Sequence, residues 1–200
     1  MEKQNLISGE YAGIYAAGRE PSMVMVPGLS AFAVDGDGDP RDSVSFQAAT
    51  AALYACAYGL KMGMKKAGIA DWAVMPLEGE WWSDDMARFS MDDRGAWKWT
   101  LLIVQPPSVP DDAAVAAIEA AKAKKGFVEA VRFERRPAYE AARILHVGPY
   151  ADEAPTIARL HAYIEASGRS LTGKHREIYL GDPRRTAPER LKTILVQPVA

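Results

Sequence analysis

The sequence predicts an α+β fold: duplicated βαββ units with pseudo-twofold symmetry and a central cleft of the kind that takes a ligand. Three observations lead there. Short β-prone runs alternate with stretches of helical apolar spacing. The order strand–helix–strand–strand occurs twice. The closing strands of the two halves share a phrase, LLIVQP at Leu101–Pro106 and TILVQP at Thr193–Pro198. Likeness between two parts of one chain marks a repeated supersecondary unit. A sheet with one apolar face buries it against its own helix, and junctions between such units favour binding pockets.

Each element has its local reason. Residues 1–22 mix polar, Gly and small residues and read as an N-terminal arm ahead of a domain spanning 23–200. A first strand is expected over Met23–Val34, interrupted at Pro27-Gly28, and DGDGDP at Asp35–Pro40 reads as a loop. From Ser43 to Lys66, Phe46, Ala49, Leu53, Ala57, Leu60 and Met64 recur at helical spacing, with Gly59, Gly63 and Gly68 weakening the end. Strands follow at Trp72–Leu77 and Trp97–Gln105, separated by an acidic and aromatic loop; Pro106-Pro107 closes the second. Pro110-Asp111-Asp112 opens an Ala- and Lys-rich connector helix running to about Lys125 and ended by Gly126. The second half gives a strand at Tyr139–Val147, a helix at Asp152–Ser167 stopped by Gly168, and strands at Arg176–Leu180 and Thr193–Gln197. The two halves are thus placed at about 23–108 and 127–200.

Composition narrows the function classes. The chain has 200 residues, 48% hydrophobic and 25% charged, the balance of one globular domain. A formal net charge of −2 sets up no positive field for nucleic acid or anionic membrane. One cysteine, Cys56, forms neither an internal disulfide nor a thiolate cluster, and its place in a helix reads as buried. No stretch approaches the roughly twenty apolar residues that span a bilayer, and the first residues lack a secretory apolar core. The expected location is the cytoplasm; self-association as a homodimer is left open.

Aromatic residues are the less ordinary feature. There are five Trp and eight Tyr, and Trp81, Trp82, Trp97 and Trp99 fall within one short stretch. Such rings serve equally as core filler and as ligand walls. In PLEGEWW, which also holds Glu78 and Glu80, adjacent Trp81 and Trp82 point to opposite faces of a strand. Trp99 lies nearer the middle of the next strand than Trp97 and is the better wall candidate. Strand alternation places Glu177 and Tyr179 on one face, Ile178 and Leu180 on the other. If the aliphatic pair faces the helices, the Glu–Tyr pair faces the cleft. There a carboxylate attracts a cation or activates water, and a phenol donates to a carbonyl. Tyr150 sits in the turn before the second helix, while Tyr54 and Tyr58 form a packed pair on the first. No metal is assigned. DGDGDP lacks the acid a calcium loop needs at its twelfth position, where Phe46 stands, and His146, His161 and His175 lack ligand spacing. Phosphate-loop and dinucleotide patterns are missing too, so no cofactor is expected.

Three phrases resemble a known family: HVGPYADEAPTI at His146–Ile157, REIYLGDPRRTAPERLKTILVQP at Arg176–Pro198 and PLEGEWW at Pro76–Trp82. With the duplicated strand–helix–strand–strand order, they are similar to the GyrI-like small-molecule-binding proteins of SOUL/GyrI-type fold. They look most like a stand-alone subfamily that hydrolyses cyclopropanoid DNA-alkylating agents such as yatakemycin. The likeness covers roughly residues 20–200. It implies a central pocket with a carboxylate, an aromatic cage and hydrolytic opening of a strained ring, a detoxification. On that resemblance Glu177 and Tyr179 are the catalytic candidates, and Trp81, Trp82, Trp99, Tyr150 and Glu78 the ligand-binding ones. The expected partner is a planar hydrophobic aromatic molecule. Relatives fused to a helix-turn-helix sense drugs, but the arm is too short for that module, so no direct nucleic-acid contact is expected. The competing reading is a binder without catalysis that sequesters drugs or modulates a partner protein.

Overall fold

Eight strands and four helices form among residues 4–6, 9, 11–40, 43–84, 94–125 and 130–200, which the computed structural model describes. The expected stop at Gly126, parts of the N-terminal arm and most of the acidic and aromatic loop lie outside the described residues. All strand pairs within the two units described below are antiparallel. The fold is the mixed α+β class that the alternating pattern predicts. No helix among the described residues is long and apolar enough to cross a membrane.

The chain divides into two units, Met1–Leu6 with Leu29–Arg136 and Ile7–Gly28 with Pro137–Ala200. In the first, β2 (Leu29–Asp37), α2 (Val44–Lys66), β3 (Leu77–Trp82) and β4 (Lys98–Gln105) make a βαββ run, and β5 (Arg132–Arg136) pairs with the free side of β2. In the second, β6 (Tyr139–Val147), α4 (Ala154–Ala166), β7 (His175–Tyr179) and β8 (Lys192–Pro198) make the other run, and β1 (Ser22–Val26) pairs with β6. The strands within each unit thus have the same order: added strand, first strand, third, second.

The added strands are where sequence and structure part. The single strand expected over Met23–Val34 is two strands, broken at Pro27-Gly28; β1 belongs to one unit and β2 to the other. Proline donates no ladder hydrogen bond, so a strand running through it turns or ends. Pro137 repeats the device between β5 and β6. β5, RFERR, escapes a periodicity search because it has little apolar alternation; charge is how edge strands resist stray pairing. The strand expected at Trp72–Leu77 lies later, at Leu77–Trp82, and Trp72 makes only an isolated bridge to Gln4. Asp35–Asp37 extend β2, with the turn beginning at Gly38, whose φ of 86° suits glycine.

α2 starts where Ser43 accepts a hydrogen bond from the Phe46 amide at 3.1 Å, satisfying an orphan donor of the first turn. It runs through Gly59 and Gly63 because Leu53, Cys56, Ala57, Leu60 and Met64 are buried along one stripe, and packing outweighs the glycine cost. α2 packs on β2 and β4, and α3 (Asp111–Lys125) packs on α2 and β5. Burial holds the Cys56 thiol up at about 11, which leaves it an unreactive core group. In the second unit Ala142, Ile144, Leu160, Ile164, Leu195 and Val199 close the core between sheet and α4, with Met23 against it. The opposite face of this sheet carries Val24, whose Cγ2 lies 3.7 Å from the place a Gly13 Cβ would take, so the short α1 (Ala12–Tyr15) lies over it. The middle of the arm is therefore packed structure: Tyr11 and Ile14 are fully buried.

Candidate functional site

In the second unit, register brings an acidic pair together. On β7, Glu177 stands opposite Leu195 and Tyr179 opposite Thr193. Leu195 belongs to the core beneath α4, so Glu177 and Tyr179 lie on the helix-bearing face. The condition that the aliphatic pair faces the helix does not hold for Ile178. Ile178 pairs with Ile194 on the other face and is fully buried there. The sequence pattern could not tell these faces apart, because both are covered.

The turn before α4 supplies the second acid. Gly148, at φ 144°, lets the chain turn sharply, with the His146 ring 3.2 Å from where a Cβ would stand. His146 reads this turn from both sides. Its Nε2 donates to the Pro149 carbonyl at 3.2 Å, which leaves Nδ1 to accept from the Thr156 hydroxyl at 3.0 Å. Tyr150–Asp152 then form a 3₁₀ turn, and Glu153 leads into α4. Glu153 is 4% exposed. Burial, then the charge of Glu177 beside it, pushes its carboxyl up to about 9. At neutral pH Glu153 therefore keeps its proton. Tyr179 donates its phenol to Glu177 Oε2 at 2.7 Å. Tyr150 meets the Tyr179 ring edge-on, centroids 5.5 Å apart. Burial, and after it the charges of Glu153, Glu177 and Asp182, raise the Tyr150 phenol to about 12, so it stays a donor.

The first unit holds the indoles. Trp81 and Trp99 stand opposite each other on β3 and β4. Phe46, at the start of α2, stacks on Trp81 (6.1 Å, 19°) and meets Trp99 edge-on (5.4 Å, 77°); Trp97 adds an edge contact to Trp81 at 5.5 Å. Trp99 is 1% exposed, and its indole N–H has no hydrogen-bond partner among the described residues. Gly36, opposite Trp99 on β2, makes room: a Cβ there would sit 2.1 Å from the ring. Trp82 and Glu78 alternate with Trp81 and lie on the other face of β3, where Glu78 is fully buried. That face carries a charged network: Arg132 donates to Asp35 (2.9 and 3.1 Å) and Glu134 (2.6 Å), and Arg136 to Glu134 and Glu80.

Of the residues expected to form a site, then, Glu177, Tyr179 and Tyr150 are brought together in one unit and Trp81 and Trp99 in the other, with Trp82 and Glu78 across the sheet from those indoles. Glu153 and Phe46 were missed. An acid at a helix start reads as a favourable dipole partner, and a Phe at a helix start reads as core. Only the folding of the turn before α4 against β7 sets Glu153 beside Glu177.

The GyrI-like small-molecule-binding domain matches residues 19–200, nearly the whole chain. The chain belongs to the GyrI-like family. Among solved structures, this GyrI-like chain is similar to an uncharacterized conserved protein from Listeria innocua, with 39% identity and a TM-score of 0.90 over 99% of this chain and all of that one. It is likewise similar to a Listeria innocua hydrolase encoded by lin2189, with 37% identity and a TM-score of 0.87 over all of both chains. The C-terminal domain of EcmrR, at 14% identity, a TM-score of 0.57 and coverage of 90% of this chain and 97% of that one, shares the fold. No match was found among curated proteins.

Proposed function

We propose that this GyrI-like chain binds planar, apolar small molecules and hydrolyses those bearing a strained cyclopropane conjugated to a carbonyl, the cyclopropanoid DNA-alkylating agents. The observation that carries the reading is the acidic pair, buried Glu153 beside Glu177 with the Tyr179 phenol on Glu177 Oε2. A protonated and an ionised carboxyl side by side can hold a water and take its proton. The description of two similar Listeria innocua structures as hydrolases supports a reaction over binding alone.

In the reaction, water oxygen bonds to the cyclopropane methylene and the bond from that carbon to the ring junction breaks. Its electron pair moves through the conjugated ring to the carbonyl oxygen, which takes up a proton and becomes a phenol. Glu177 accepts the proton that water loses. Tyr179 keeps the Glu177 carboxylate turned in one direction, and the neutral Glu153 adds no second negative charge to repel the electron-rich product. Withdrawal from bulk water strengthens each of these contacts.

The test is incubation of purified protein with a cyclopropanoid agent, with mass spectrometry for a product heavier by one water. Glu177→Gln is expected to cut turnover more than affinity. Stoichiometric capture with no turnover would replace the enzyme by a sequestering binder. No capture at all would remove both readings.

A further inference from the structure

Glu177 presents two oxygens, and the mechanism above engages one of them. Oε2 is held by Tyr179; Oε1 looks along β7 towards His175, whose Nε2 stands 3.6 Å away. His175, Glu177 and Tyr179 alternate along β7 and so share the α4 face. The His175 side chain is 11% exposed, and neither of its ring nitrogens has a hydrogen-bond partner among the described residues. A buried imidazole with both nitrogens idle is costly, since each loses water and gains nothing in exchange. An adjacent carboxyl that gains and loses a proton during turnover is a partner that would repay it.

We propose that His175 is a positioning residue for Glu177 and the group that takes over the proton Glu177 collects, a role that rests on the hydrolytic reading above. Once Glu177 has drawn a proton from water, its O–H breaks, an N–H forms on His175 Nε2, and the carboxylate returns beside an imidazolium. That ion pair sits where opposite charge favours it, and the imidazolium later releases its proton to solvent. The gap of 3.6 Å is short enough to close by a small torsion of either side chain.

The surroundings suit this assignment. Among the described residues, the titratable groups that face His175 are Glu177 on its own strand and His161 on α4, whose own charged neighbour is Glu165. By continuation of the register the neighbour on β8 is Gln197, which is neutral and donates its amide to the carbonyls of Thr172 and Pro198 at 2.7 and 3.2 Å. Burial, and after it the neighbouring His175, holds His161 below the ordinary imidazole range, so His161 stays neutral and does not oppose a positive His175. Nothing in the spacing of the three histidines points to this: the link comes from strand register and from the turn of α4 above it.

Two measurements on the full-length protein test it. In the first, histidine ring resonances are followed by NMR across pH in the wild type and in Glu177→Gln. The titration of His175 is expected to move to lower pH in the variant, while the resonances of His146, whose bonds are to Thr156 and Pro149, report an intact fold. An unmoved His175 titration would overturn the coupling whether or not any substrate is turned over. In the second, turnover of a cyclopropanoid agent is compared between wild type and His175→Gln. A fall in kcat of about tenfold is expected, short of the roughly hundredfold that loss of a general base brings, with KM little changed and the acid limb of the pH profile displaced. Equal kcat and an unchanged profile would also overturn the assignment. If the wild type hydrolyses nothing, the hydrolytic reading and the proton transfer fall, and the NMR result alone decides whether His175 positions Glu177.

Discussion

Gly36 is the position at which the smallest change should have the largest local effect. Adding one methyl group there, Gly36→Ala, places a Cβ 2.1, 2.2 and 2.6 Å from three carbons of the Trp99 benzene ring. An ordinary carbon–carbon contact is about 3.5–4.0 Å, so ring and strand must part by about 1.5 Å. The ring has nowhere to go: Phe46 holds its edge, Trp81 stands directly across the ladder, and the indole is almost wholly buried. Overpacking of this kind costs about 1–3 kcal/mol, and an aromatic ring against strand backbone belongs at the upper end. Urea unfolding should show the midpoint falling with its slope unchanged, and tryptophan emission should shift as the cluster is disturbed. The double variant Gly36→Ala with Trp99→Leu separates this clash from a backbone effect. It should recover part of the loss, with a coupling of about 1 kcal/mol or more. If Gly36→Ala is as stable as the wild type with the same emission, or if the two changes simply add, the packing argument for Gly36 is wrong.

Three further outcomes are expected. Glu153 has a folded-state pKa above its unfolded value, so the folded state binds the extra proton, and stability falls as pH rises from about 5 towards about 9. Glu153→Gln should flatten that slope in urea midpoints taken across the range; a slope kept intact would mean Glu153 is not the buried acid responsible. Tyr179→Phe removes the 2.7 Å bond to Glu177 and should cost about 1 kcal/mol of stability or less but lower kcat clearly, so an unchanged kcat would show that the phenol does not orient the carboxylate. Ser43→Ala removes the cap on the Phe46 amide and should cost about 1 kcal/mol in thermal or urea unfolding; no loss would mean that α2 starts without it.

The elements that carried a strong local signal were legible early. The connector helix opens at Asp111 because acids favour a helix N-terminus, α4 stops at Gly168 because glycine takes φ 71° without cost, and β6 falls on the stretch with β-prone alternation. β5 was invisible because a strand of Arg and Glu is held by its neighbour β2 and by ion pairs with Asp35 and Glu80, neither of which is local in sequence. Gly36 looked like a loop glycine because its reason, the ring of Trp99, lies more than sixty residues away along the chain. Glu153 looked like a helix-start acid for the same reason.

What the sequence alone determined is the class of fold, its doubled strand–helix–strand–strand order and the set of aromatic and acidic residues proposed for a site. These follow from periodicity, turn residues and a repeated phrase, all of which act within a few residues. What only the tertiary structure decided is which strand joins which unit, which face of β7 meets α4, and that Glu177 finds Glu153 on one side and His175 on the other. A one-residue change of register would turn Glu177 and His175 to the opposite face. Alternation along β7 puts His175, Glu177 and Tyr179 on one face and Ile178 on the other, and which of them meets α4 is decided by what packs on each.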